Sequence, residues 1–189
     1  MFDLSEFNSV EAAKRLLGCE LERQIDDQLM RVRIVETEAY DQMDAASHSF
    51  NGKTQRTEVM FGPAEHLYVY FTYGMHYCAN IVVGSVGYGA GVLLRAVEPV
   101  QGEQFMQTNR GGKTGVVIAN GPAKLCQALR IDKRQGGHNL QQEPLRLIKR
   151  PAIDSSQIVS AKRVGISREV DKLWRFYIRG NSYVSVLAK

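Results

Sequence analysis

The sequence predicts an α+β fold: a single compact domain with a curved, mostly antiparallel, partly open barrel-like sheet and flanking helices. Alternating segments occur in pairs that are separated by short turns, which is typical of antiparallel strands. Segments with helical periodicity precede and follow these pairs. The 189 residues, 44% of them hydrophobic and 23% charged, are enough to bury one core. We therefore expect one domain over residues 1–189.

Composition narrows the class of protein. There is no run of about 18 apolar residues, so we expect no membrane span. The N-terminus lacks a basic region followed by an apolar one, so we expect no secretion signal and an intracellular location: cytoplasm or nucleoid in a bacterium, nucleus in a eukaryote. Three widely spaced cysteines and four scattered histidines indicate a reducing compartment and no metal site.

The chain opens with a predicted helix and a predicted strand pair. Asn8 can cap a helix over residues 8–18, with Glu11 in the capping-box position and Gly18 at the end. Residues 19–25 and 29–40 then alternate like paired strands around a turn at 26–28.

The end of this second strand, residues 31–40, carries unusual side chains. Strict alternation puts Val32, Ile34, Glu36, Glu38 and Tyr40 on one face, so an apolar face runs into two carboxylates and a phenol. A carboxylate on a buried face is costly unless it is paired, and one placed there often has a chemical role. A salt bridge with a nearby arginine is the plain structural alternative.

A long polar loop and a tyrosine-rich segment follow. The loop, residues 41–66, contains His48 and is long enough to suggest a functional segment. Residues 67–83 hold four tyrosines and predict two strands bent at Gly74. Clustered tyrosines are compatible with core packing and also with platforms on which nucleobases stack.

The rest of the chain supplies one more charged strand and further helices. Arg95 interrupts an apolar strand over 92–97, so we expect it to pair with Glu36 or Glu38. We predict a helical stretch over 98–107, a basic loop over 109–115, and a helix of about ten residues after Asn120 and Gly121. Residues 132–144 are expected on the surface, and 145–148 and 173–180 as strands.

Several of these segments together resemble the alkyladenine (3-methyladenine) DNA glycosylase family. The resemblance covers nearly the whole chain, in the family's order, so it is far more specific than any one segment. The segments that carry it are Val35–Tyr40, Leu67–Tyr70, Tyr73–Met75, Val92–Ala96 with Glu98–Pro99, Asn120–Leu129 and Arg175–Gly180.

The resemblance implies an enzyme that flips a damaged purine from duplex DNA and hydrolyses its N-glycosidic bond without cutting the strand. It implies no cofactor, and the expected partner is double-stranded DNA containing damaged purines, bound by a monomer. A net charge of +4 is compatible with that polyanionic partner. Candidate contacts to the DNA backbone are Lys53, Arg56, Lys113, Lys162 and Arg163.

The resemblance also assigns roles to individual residues. Glu38 matches the family's general base, and Arg95 matches an arginine near the attacking water. Glu36 is expected to be structural. The substrate pocket is matched by Tyr40 and Tyr70 as stacking residues, His48 as the pocket histidine and Asn80 as the residue that crowds the amino group of guanine. Tyr73, beside Gly74, matches the wedge that fills the gap left by the flipped base.

Two other functions are compatible with the residues alone. Glu36 and Glu38 lie very roughly 7 Å apart on a strand, within the separation used by inverting glycoside hydrolases. A non-enzymatic nucleic-acid-binding module would use the tyrosines as platforms, but it would leave the carboxylates unexplained.

Overall fold

The computed structural model describes residues 2–188, and within them three α-helices flank eight strands. The helices are α1 (Ser9–Leu16), α2 (Glu103–Asn109) and α3 (Pro122–Ala128). The strands are β1 (Glu20–Ile25), β2 (Gln28–Tyr40), β3 (Leu67–Thr72), β4 (His76–Val82), β5 (Gly91–Gln101), β6 (Leu145–Ile148), β7 (Ile158–Ala161) and β8 (Arg175–Ile178).

All the strands pair antiparallel, in the order β3-β4-β5-β2-β1-β6, and β8 joins β2 to β7. β2 is long enough to hold β1 along its first half and β8 along its second half on one edge, while β5 lies on the other edge. The branching curls the sheet into a half-barrel, with its core packed against the helices. The predicted α+β fold with a curved antiparallel sheet is confirmed.

The first helix forms as its sequence predicts. The Asn8 side chain accepts hydrogen bonds from the backbone N–H groups of Val10 and Glu11, at 3.0 and 2.9 Å. The Glu11 carboxylate in turn accepts from the Asn8 backbone N–H, which completes a capping box. The apolar face of α1 packs on β2 and closes one side of the core.

Two helix predictions need correction. The stretch over 98–107 is not one helix, because β5 continues to Gln101 and Glu98 accepts a hydrogen bond from Arg33 Nε on β2 at 2.9 Å. Gly102 then turns the chain with φ +76°, and a Cβ there would lie 2.3 Å from the Leu29 carbonyl oxygen. α2 begins only after this turn. The helix that begins at Pro122 spans seven residues rather than about ten.

The two central strands each carry one extra residue at the same level of the sheet. Ile34 pairs with Val97 and Glu36 with Ala96, which leaves Val35 extra in β2; Thr37 then pairs with Leu94, which leaves Arg95 extra in β5. A β-bulge of this kind bends a strand and re-aims its side chains.

The β2 bulge changes which residues share a face. Ile34 belongs to the core, and Thr37 Oγ1 donates to the Ala13 carbonyl of α1, so these two residues face the helices. Glu36 and Glu38 therefore point away from the core face. The prediction that Ile34 and Glu36 share a face is wrong, because strict alternation does not hold through a bulge.

Candidate active site

A cavity of about 410 Å³ opens between strands β2–β5 and the loop segments 45–48 and 164–168. Six residues that the sequence singled out line it although they are far apart in the chain: Tyr40, His48, Tyr70, Tyr73, Asn80 and Arg95.

Glu38 lies directly behind the cavity wall and has no exposed surface. Its Oε2 accepts a hydrogen bond from the Tyr40 hydroxyl at 2.8 Å, and its Oε1 accepts one from the Val164 backbone N–H at 2.8 Å. Arg95 Nη1 is 3.2 Å from the same Oε1. Tyr40, Val164 and Arg95 all line the cavity, so the carboxylate is one hydrogen bond away from it.

Arg95 reaches both carboxylates, as its position in an apolar strand predicts. Its Nε donates to Glu36 Oε1 at 3.3 Å and its Nη1 faces Glu38, while Nη2 lies 3.4 Å from Ser185 Oγ. Burial alone would lower the pKa of Arg95, but the negative charges of Glu38 and Glu36 outweigh it and raise that pKa. The guanidinium therefore stays charged at the cavity wall.

Glu36 has a different environment, although it is only two residues from Glu38. It does not line the cavity, and its carboxylate accepts hydrogen bonds from Arg95, from Arg175 Nη1 at 2.8 Å and from the Ser185 backbone N–H at 2.7 Å. The cavity therefore does not present the pair of carboxylates that flank the scissile bond in a glycoside hydrolase.

An aromatic wall lies across part of the cavity. The His48 and Tyr70 rings meet edge to face with centroids 4.6 Å apart, and His48 Nδ1 lies 3.0 Å from the Tyr68 hydroxyl. Burial, helped by the charge of Arg56, lowers the pKa of His48, so the ring is neutral at neutral pH. Burial also raises the pKa values of Tyr70 and Tyr40, so both phenols keep their protons.

Tyr68 is a lining residue that the sequence did not single out. It lies in the tyrosine-rich segment, stacked on Tyr70 with ring centroids 5.8 Å apart. Tyr68 and Tyr70 are two residues apart on a strand and therefore share a face. This alternation could have predicted that Tyr68 lines the cavity with Tyr70.

Asn80 lies at the buried end of the cavity and Tyr73 at its exposed end. Asn80, on β4, is 5% exposed, and its Nδ2 donates to the Tyr68 carbonyl oxygen at 3.3 Å, which fixes the orientation of the amide. Tyr73 is 82% exposed at the tip of the β3–β4 hairpin. Its φ of +51° and that of Gly74, +68°, both lie in the left-handed region, so the turn presents Tyr73 outward.

Arg163 is not available to a DNA backbone, which corrects one sequence-based candidate. Its side chain is fully buried and forms an ion pair with Asp44, with Nη2 3.0 Å from Oδ1, while its Nη1 donates to the Ala39 carbonyl oxygen at 2.9 Å. The guanidinium lies 4.7 Å from the Tyr40 ring centroid. Lys53, Arg56, Lys113 and Lys162 are exposed.

The Asp44–Arg163 pair supports the cavity from behind. It joins the end of β2, the 41–48 loop and the segment whose Val164 N–H reaches Glu38. The two residues are 119 positions apart, and no local pattern in the sequence pairs them.

None of the helices in residues 2–188 is long and apolar enough to cross a membrane. Over the same residues, no group of three or more His, Cys, Asp or Glu side chains is arranged to hold a metal ion.

Comparison with known proteins gives a consistent result. Residues 3–182 match the family model of methylpurine-DNA glycosylase. A Carboxydothermus hydrogenoformans protein named "Putative 3-methyladenine DNA glycosylase" is 49% identical over 174 residues, which cover 92% of this chain and 91% of the relative. Proteins of the same name from Methanoculleus marisnigri and Francisella tularensis are 45% and 42% identical over 95% and 94% of this chain, and over 95% and 93% of their own lengths. Because the family model matches almost the whole chain and these relatives match along nearly their full lengths, this chain belongs to the methylpurine-DNA glycosylase family.

Proposed function

We propose that this protein extrudes alkylated or deaminated purines from duplex DNA and hydrolyses the N-glycosidic bond without cutting the strand. The substrates would be of the 3-methyladenine, 7-methylguanine, ethenoadenine and hypoxanthine class. The observation that carries the proposal is the fully buried carboxylate of Glu38, held by Tyr40, Val164 and Arg95 at the wall of an aromatic-lined cavity.

In this proposal Glu38 is the general base. Water bound next to Glu38 and Arg95 loses a proton to the carboxylate as its oxygen attacks the sugar carbon and the purine leaves with the bonding electrons. The charge of Glu38 also stabilises the oxocarbenium-like transition state, and fixed charges act strongly in a site that excludes bulk water. Since Glu38 has no exposed surface, water gains contact with it only when one of its three neighbours shifts.

The aromatic wall would bind the extruded base. Tyr40, Tyr70 and His48 all line the cavity. Alkylation on the ring makes a purine cationic, and a desolvated cation over an aromatic face gains about 1–2 kcal/mol. A neutral His48 adds no repulsive charge to such a base, and Asn80 would exclude normal guanine by crowding its exocyclic amino group.

Tyr73 would fill the space that the purine leaves in the duplex. Extrusion costs a few kcal/mol of lost stacking and pairing, and an inserted ring offsets part of that cost. The exposed side chain at a tight hairpin tip suits this insertion.

The composition of the cavity supports hydrolysis without strand cleavage. Strand-cleaving glycosylases of the Schiff-base type need an amine nucleophile. No lysine lines this cavity among the residues that the structure describes. We therefore expect release of free base and an intact abasic strand. We also propose that the protein binds double-stranded DNA as a monomer.

The test uses duplexes that each carry one defined lesion, with free base and strand breaks measured separately. We expect base release from at least one alkylated purine, and strand breaks only after alkali treatment. Glu38→Gln keeps the size of the side chain but removes its charge, so single-turnover release should fall by about 10³-fold or more, while the duplex stays bound. Glu22→Gln is the matched control, because Glu22 is a strand carboxylate that also pairs with arginines but lies outside the cavity. Wild-type activity in Glu38→Gln would refute the assignment.

A further inference from the structure

We propose that Glu36 and the C-terminal segment Tyr183–Ala188 orient Arg95 for base release, so that this segment is a functional part of the site. The inference rests on the proposed function, but it concerns groups that do not touch the cavity. Glu36, Ser185 and the rest of the segment would act through Arg95 and are therefore positioning residues.

Glu36 is enclosed by hydrogen-bond donors. Its carboxylate has no exposed surface, and a buried charge is costly unless it is paired and hydrogen-bonded. Here three donors satisfy it: Arg95 Nε, Arg175 Nη1 and the Ser185 backbone N–H. Because the Glu36 carboxylate does not line the cavity, it does not contact a substrate there. Its role is then to hold these three donors in place.

Arg95 is oriented by contacts from outside its own strand. Arg95 is an extra residue at a bulge in β5, and such a residue is left out of the regular ladder, so strand pairing alone does not aim its side chain. Its three nitrogens face Glu36, Glu38 and Ser185 Oγ at 3.3, 3.2 and 3.4 Å. Two of these three contacts come from Glu36 and the C-terminal segment, and the third is the contact with the proposed base.

The C-terminal segment is attached to β8 by hydrogen bonds and by packing. The Val186 carbonyl oxygen accepts from Arg175 Nη1 at 2.6 Å, and the Ala188 backbone N–H donates to the Tyr177 hydroxyl at 3.0 Å. Val184 is buried against the same strand. The segment therefore closes over Glu36 from β8, and it lies just beyond residues 3–182, which the family model matches.

The test compares base release with duplex binding in three variants. Glu36→Gln keeps the shape but removes the charge and replaces one acceptor oxygen with an N–H₂ group. At the Oε2 position this leaves the Ser185 N–H without its partner, and at the Oε1 position it leaves both Arg95 Nε and Arg175 Nη1 without theirs. We expect single-turnover release to fall about 100-fold, the effect of a misplaced catalytic group, with the Kd for the lesion duplex unchanged within about twofold. Ser185→Ala removes one side-chain hydrogen bond and should cost about threefold to tenfold. Ser182→Ala is the control, since Ser182 is an exposed serine of the same region.

A double-mutant cycle separates positioning from general support of the fold. If Glu36 acts through Arg95, Glu36→Gln should cost nothing further in an Arg95→Gln background. Equal losses in both backgrounds would overturn the proposal, and so would full activity in a folded Glu36→Gln protein. If Glu36→Gln does not fold, the comparison of base release between Ser185→Ala and Ser182→Ala tests the proposal. Equal rates of release in these two variants would reject the role of the segment. Failure of the proposed function is distinguishable, because the unmodified protein would then release no base.

Discussion

The tip of the β3–β4 hairpin and the carboxylate wall of β2 border the same cavity and are built in opposite ways. At the tip, Tyr73 is 82% exposed on a turn with left-handed backbone. At the wall, Glu38 is fully buried and held by three partners. A group that enters DNA must project, whereas a group that stabilises a transition state gains most when it is fixed and dry.

This contrast predicts separable effects. Changes at the wall should slow bond cleavage and leave lesion binding intact, whereas changes at the tip should weaken capture of a paired base and leave cleavage of an already unpaired one unaffected.

After Glu38→Gln, the largest effect should come from Arg95→Gln at the wall. The change removes the cation between Glu36 and Glu38, so we expect base release to fall by about 10²–10³-fold at a temperature where the protein is folded. Uncompensated buried carboxylates should also lower the free energy of unfolding by about 3–5 kcal/mol, as measured by urea denaturation.

Arg23→Gln is the matched control for a buried arginine. Arg23 is 7% exposed and its Nε donates to the Leu129 carbonyl oxygen, outside the cavity. Arg23→Gln should have a lower free energy of unfolding but an unchanged rate of base release per folded molecule. Similar catalytic losses in both variants would mean that Arg95 only supports the fold.

Tyr73→Ala should produce the next largest effect, at the tip. Without the ring to fill the gap, release from a lesion paired in duplex DNA should fall about 10–100-fold. Release from the same lesion in single-stranded DNA or opposite an abasic gap should change little. Val100→Ala, another exposed apolar residue, is the control. Equal losses on paired and unpaired lesions would place Tyr73 in base binding rather than insertion.

Asn80→Ala tests the floor of the cavity, between tip and wall. Truncation removes the group proposed to crowd the amino substituent of guanine, so the ratio of guanine-type to adenine-type base release should rise about tenfold. Competition between the two lesions in one reaction measures this ratio directly. An unchanged ratio would assign Asn80 to the support of Tyr68, whose carbonyl oxygen it binds.

The smallest effect concerns the protonation of His48. Its pKa is lowered from 6.5, first by burial and then by the charge of Arg56, so the neutral ring contributes stability above about pH 6.5. That stability is lost as the pH falls through the lowered pKa, and binding of a cationic purine should weaken over the same range. NMR titration of the imidazole measures the pKa, and Arg56→Ala should move it upward. A pKa at or above 6.5 in the unmodified protein would contradict this prediction.

Local patterns determined much of the fold. The capping box at Asn8 and Glu11, the strand pair that begins near residue 20 and the bend at Gly74 each depend on residues within a few positions of one another. The same holds for an arginine in an apolar strand, whose need for a carboxylate partner is a property of the residue itself. Family motifs added six of the lining residues, which are spread from Tyr40 to Arg95.

Other features depend on contacts that no local pattern records. The facing bulges at Val35 and Arg95 are a property of two paired strands, and they reversed the expected face of Glu36 relative to Ile34. Arg163 has the sequence character of a surface residue, yet a partner 119 positions away buries it.

The sequence by itself determined the first helix, the two strand pairs β1–β2 and β3–β4, the residue types at the site and the family, because propensity, capping and short motifs act over a few residues. Only the tertiary structure decided how the two neighbouring glutamates are enclosed, Glu38 behind the cavity wall and Glu36 beneath the C-terminal segment. That choice depends on strand register and on chain segments more than a hundred residues apart, where burial and charge pairing exist only after the chain has folded.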